Sequence, residues 1–97
     1  MKAFTFEDEL ALRDGIRNGL GEKWFSAHRW IKVYAHDETV DVFMEPPATK
    51  PIFRQQELIL SAIPDDGLMK LGSLVGHEMA VFLSKNKRYI TPAALDD

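Results

Sequence analysis

The side chains able to do acid–base, nucleophilic or metal chemistry in this chain are three histidines, four serines and a scatter of carboxylates. None falls into a spacing that such chemistry requires. His28, His36 and His77 sit on separate stretches, and no pair shows the i, i+3 or i, i+4 separation that sets two imidazoles on one helix face around zinc. Solvated or packed histidines are therefore expected, with no metal site and no cofactor. Asp41 and Glu45 share a strand face but stand about 13 Å apart along it, beyond the roughly 5 to 9.5 Å that paired glycosidase carboxylates span. Asp65-Asp66 precedes a helical apolar pattern and reads as an N-cap.

Ser26, Ser61, Ser73 and Ser84 lie in no G-x-S-x-G setting. Phosphate-binding and dinucleotide fingerprints are missing as well, and Gly19-Leu20-Gly21 lacks the third glycine and the preceding strand, so it reads as a helix end. The chain has no cysteine, which removes disulfides, thiolate metal sites and thiol nucleophiles and fits a reducing compartment. A non-catalytic role is the expectation.

Charge and hydropathy narrow the partners. A net charge of −3 and a pI near 5.6 argue against a dedicated duplex-DNA binder, whose affinity comes from neutralising phosphates, although a local basic patch stays compatible with them. Glu7-Asp8-Glu9 follows the N-terminus where a secretory signal would place an apolar run, and no window approaches a membrane span, so a cytoplasmic protein is expected. At 97 residues the chain suits one domain, 1–97. With 45% apolar and 28% charged residues it can form a core without disulfide or metal staples.

The elements that would position a surface follow from periodicity. Thr5 and Asp8 have capping-box spacing, Glu7, Asp8 and Glu9 suit the positive end of a helix dipole, and Leu12, Ile16 and Leu20 recur at four-residue steps. These features predict a helix over Phe6–Gly19, flanked by Phe6 and Leu10 and ended by Gly19-Leu20-Gly21. Between Arg29 and Glu45 the pattern changes to strict alternation. Pairing Ala35 with Val40, Val33 with Val42 and Ile31 with Met44 gathers the aliphatic residues on one face. The other face then pairs Tyr34 with Asp41, Lys32 with Phe43 and Trp30 with Glu45. A one-residue slip would mix the two sets, so the pattern specifies a hairpin register with a four-residue loop, His36 to Thr39.

Pro46-Pro47-Ala48-Thr49-Lys50-Pro51 is a connection between the two halves. Over 52–63, Arg54-Gln55-Gln56-Glu57 favours a helix ended by Pro64, while Leu58-Ile59-Leu60 also fits a short buried strand; helix is the expectation. Asp65-Asp66-Gly67 opens a long helix over 67–84 with Leu68, Leu71, Val75, Met79, Phe82 and Leu83 on one stripe. Gly72 and Gly76 border that stripe, where another backbone could come close; the competing reading breaks the segment into short strands at these glycines. Residues 85–91 suit a last short strand, and 91–97 a frayed tail. The expected fold is α+β: an antiparallel β-hairpin or three-stranded sheet packed against two or three helices.

The sheet face opposite the aliphatic one then offers Trp30, Lys32, Tyr34, Asp41, Phe43 and Glu45 as partner-binding residues, with Trp30, Tyr34 and Phe43 as anchors and Asp41 and Glu45 as a charged rim. Aromatic anchors of this kind bring large contact area at low entropic cost. The bland alternative is that helices, or Trp24 and Phe25, cover this face. The expected function is protein binding, as in an inhibitor, immunity, antitoxin or adaptor protein, with a phage or other mobile element as a setting. The alternative is single-stranded nucleic-acid binding, with bases stacked on Trp30 and Tyr34, Lys32 beside them, and Lys85, Lys87 and Arg88 tracking phosphates; Asp41 and Glu45 oppose it. Leu74 and Val81, on the polar side of the long helix, suggest with Gly72 and Gly76 a self-association surface and a homodimer.

Overall fold

The computed structural model describes residues 3–46 and 52–86, with Arg54–Glu57 described by their backbone. The fold is α+β, in the order α1 (Phe6–Leu20), α2 (Trp24–Ala27), β1 (Ile31–Ala35), β2 (Thr39–Met44), β3 (Arg54–Ile59) and α3 (Leu68–Lys85). Short 3-10 turns at Gly21–Lys23, His28–Trp30 and Leu60–Ala62 link them. The three strands form one antiparallel sheet in the order β1-β2-β3. The strand expected at 85–91 does not begin at Lys85, since that residue ends α3 and Asn86 caps it; 87–91, most of the proline-rich connection and the 91–97 tail lie outside the described residues.

The N-terminus of α1 follows from its cap. The Asp8 amide donates to Thr5 Oγ1 at 3.2 Å while the Thr5 amide donates to Asp8 Oδ2 at 2.8 Å, so two amides without intrahelical partners are satisfied reciprocally. At the other end Gly21 adopts φ +59°, and its amide donates to the Arg17 carbonyl. The left-handed turn stops the helix and sends the chain into α2.

α3 is one continuous helix, not a pair of strands, and its glycines explain why. A Cβ on Gly72 would fall 3.0 Å from the Gly15 Cα, and one on Gly76 would fall 2.9 Å from the Cα of Ile16. Gly15 and Gly19 meet Gly72 and Gly76 in the same way. Low residue numbers on α1 meet low numbers on α3, so the two helices run parallel and touch backbone to backbone. Gly15-x-x-x-Gly19 and Gly72-x-x-x-Gly76 are thus two halves of one contact, and Asn18 Nδ2 adds a hydrogen bond to Ser73 Oγ at 3.1 Å. The residual cost of glycine in a helix, about 1 kcal/mol each against alanine, is offset by this close packing.

The hairpin has the register its alternation specifies: Ile31 with Met44, Lys32 with Phe43, Val33 with Val42, Tyr34 with Asp41 and Ala35 with Val40. Its loop closes through the His36 amide on the Thr39 carbonyl at 2.8 Å. Thr39 already belongs to β2, because Ile59 of β3 pairs with it there.

The helix expected over 52–63 is overturned. Residues 54–59 form β3, followed by the 3-10 turn at Leu60–Ala62. Helix propensity differs by only tenths of a kcal/mol among Arg, Gln and Glu, whereas the free edge of β2 offers a row of backbone donors and acceptors that must be paired. A bulge between Val40 and Val42 sets two β3 residues against Asp41 alone, which breaks the alternation by which a strand is read.

The aliphatic face of the sheet (Ile31, Val33, Val40, Val42, Met44) joins Leu12, Ile16 and Leu20 of α1 and Leu68, Val75, Met79 and Leu83 of α3 in one buried cluster. Phe82 extends it, meeting Phe53 edge to face at 5.9 Å between ring centres.

Candidate partner-binding face

β1, β2 and β3 present a second face whose members follow from the register. Lys32 and Tyr34 lie beside Phe43 and Asp41, and Ile59, opposite Thr39, extends the face onto β3. Tyr34 and Ile59 are each 55% exposed. Tyr34 and the half-buried Phe43 stack at a tilt, with 5.6 Å between ring centres. That diagonal contact is what adjacent antiparallel strands offer to large side chains, and it holds the two rings as a preformed platform. Lys32 is half-buried and Glu45 exposed, at the end of the face away from the loop.

Two of the expected site residues are placed differently. Trp30 is not an exposed anchor; it is 1% exposed and among the largest buried side chains. Its carbonyl does accept from the Glu45 amide at 2.8 Å, as the register requires. But Trp30 closes the His28–Trp30 3-10 turn, and the two-residue alternation of side chains holds only for extended backbone. The indole therefore turns into the core. Its Nε1 has no hydrogen-bond acceptor among the described residues. Asp41 is likewise no rim group, being 6% exposed, with His36 Nε2 at 3.4 Å from its Oδ2. A carboxylate loses hydration on burial, and the neighbouring imidazole supplies a polar partner in its place.

Ile59 is the member that sequence reasoning missed. The signal was present in Leu58-Ile59-Leu60, an apolar run that fits a strand as well as a helix. Lys87 and Arg88 of the basic segment lie outside the described residues; Lys85 is exposed at the end of α3.

The self-association residues divide into two pairs. Gly72 and Gly76 are buried against α1 and are not surface, since the backbone they admit is the chain's own. Leu74 and Val81 are exposed, at 60% and 41%, on the side of α3 away from α1.

No three histidine, aspartate or glutamate side chains converge as a metal site among the described residues. No helix among them is long and apolar enough to cross a membrane. No protein-family model, no curated protein and no solved structure matches this chain.

Proposed function

We propose that this protein is a non-catalytic protein-binding module, of the class that includes inhibitors, antitoxins, immunity proteins and adaptors, and that it binds through the outer face of its sheet. The observation that carries the reading is the Tyr34–Phe43 platform with Ile59 on the same face beside Thr39, Tyr34 and Ile59 each being more than half exposed. Aromatic side chains already ordered by a cross-strand contact lose little entropy on binding, which is why such residues concentrate interface energy. Lys32 and Glu45 supply the polar margin.

Charge favours protein over nucleic acid as the partner. The exposed Asp37, Glu38 and Glu45 flank the face, against Lys32 of β1 and Arg54 of β3, which pairs with Phe43. With Trp30 in the core, a base-stacking platform would also lose its largest ring. The test is affinity capture from lysate of the native host cell, with and without nuclease, comparing wild type with the Tyr34→Ser/Ile59→Ser double variant. A stoichiometric protein that survives nuclease and is lost in the variant is expected. Capture unchanged by the variant would refute the surface, and material removed by nuclease would refute the partner class.

A further inference from the structure

α1 carries a second surface, on the side turned away from α3. At 100° per residue Phe6, Leu10, Asp14, Arg17 and Gly21 fall within an arc of about 80°, opposite Gly15 and Gly19, which lie against α3. All five are exposed. One end of this stripe projects: Phe6 is 73% and Leu10 47% exposed. The other end recedes into an open groove of about 410 Å3 lined by Asp14, Arg17, Asn18, Gly21, Trp24 and Phe25. Trp24 forms an aromatic wall with the Arg17 guanidinium 5.8 Å from its ring centre, and Phe25 is 74% exposed. The floor at Gly21 is open, since a Cβ there would meet nothing within 4 Å. Between knob and groove stand one carboxylate, Asp14, and one guanidinium, Arg17, neither in an ion pair among the described residues.

This arrangement is its own complement. In an antiparallel pair of α1 helices that sets residue i against residue 31 − i, Asp14 meets Arg17 of the second copy and Arg17 meets its Asp14. Leu10 then lies over Gly21 of the second copy, and Phe6 enters the groove beside Trp24 and Phe25. A single two-fold axis generates all of these contacts twice, as an isologous interface requires. A parallel pair would instead set Asp14 against Asp14 and Arg17 against Arg17. Phe6 and Phe25 give four rings per pair, about 600 Å2 at roughly 150 Å2 each. Leu10, Trp24 and the charged side chains extend that toward the roughly 1,000 Å2 that a specific interface needs. We propose that the chain forms a two-fold symmetric dimer through α1, with Phe6 and Leu10 of each copy seated in the Gly21–Trp24–Phe25 groove of the other and Asp14–Arg17 pairs across the axis. The sheet faces stay outside this contact, so the dimer does not depend on the protein-binding role argued for them.

Sedimentation equilibrium on the full chain tests the proposal. Wild type is expected to dimerise. Arg17→Asp and Asp14→Arg each place like charges opposite one another twice and should weaken dimerisation by at least about tenfold. An equimolar mixture of these two variants re-creates both attractive pairs and should associate as wild type does, which a folding defect in either variant could not produce. Phe6→Ser, at an exposed position, should also weaken the dimer while leaving the far-UV circular dichroism unchanged. A wild-type chain that stays monomeric at its solubility limit overturns the proposal. An oligomer indifferent to both charge reversals, or single variants that fail to associate when mixed although both are folded, would overturn it as well.

Discussion

Replacing Gly76 with alanine should destabilise the protein, although helix propensity by itself predicts a gain of about 1 kcal/mol. The new Cβ would stand 2.9 Å from both the Cα and the carbonyl carbon of Ile16, and nearer still to the Ile16 carbonyl oxygen. Carbon atoms in good contact lie about 3.5 to 4.0 Å apart, so α1 and α3 would have to separate by roughly 0.6 Å or more. The obstacle is main chain, and no rotamer change absorbs it. Ile16, Val75 and Met79 are buried at this contact and would lose packing as the helices part. Overpacking costs about 1 to 3 kcal/mol, and a backbone obstacle places Gly76 at the upper end. After the propensity gain the net loss is about 2 kcal/mol, or roughly 8 to 16 °C in Tm for a domain of this size. Thermal and urea unfolding followed by far-UV circular dichroism measure it, with Ser84→Ala, exposed on the same helix, expected to change stability by less than about 0.5 kcal/mol. A Gly76→Ala protein more stable than wild type would refute the glycine contact between α1 and α3. Because Gly15 and Gly72 face each other directly, their double alanine variant should cost less than the sum of the singles, the first having already parted the helices.

Trp30→Ala should cost about 3 to 5 kcal/mol, as for other fully buried large side chains. Trp30→Phe should cost much less, because it keeps most of the ring and removes an N–H that has no acceptor among the described residues. In a Trp24→Phe background the remaining indole fluorescence should be blue-shifted and resist acrylamide quenching; a red-shifted, readily quenched emission would place Trp30 at the surface instead. Thr5→Ala removes one side of the capping box and should lower stability by about 1 kcal/mol, read as a shift in the urea midpoint at unchanged slope.

The readable parts of this fold are those written in local chemistry. Thr5 and Asp8 are three residues apart, and their reciprocal hydrogen bonds need nothing beyond their own turn. The hairpin between Ile31 and Met44 is legible because its two strands are joined by a short loop, so one parity argument sets every pair. The stripe from Leu68 to Leu83 likewise describes one face of one helix. Of the candidate site, Lys32, Tyr34 and Phe43 were legible in the same way, since register alone assigns them to one face.

What the tertiary structure decided are the contacts between segments distant in sequence. Residues 54–59 became a strand because β2 had an edge to be paired, a demand that composition at 54–57 does not express. Trp30 left the sheet face because a 3-10 turn interrupts the extended backbone at that residue, and burial of a large ring in the shared core outweighs the alternation of its neighbours. Gly72 and Gly76 read from the sequence as a gap awaiting a backbone. That the backbone belongs to α1 of the same chain, through Gly15 and Gly19, follows only once the sheet brings the two helices together in parallel. Local hydrogen bonds and periodicity determine elements one at a time; which faces of those elements remain uncovered depends on how the whole chain closes around its core.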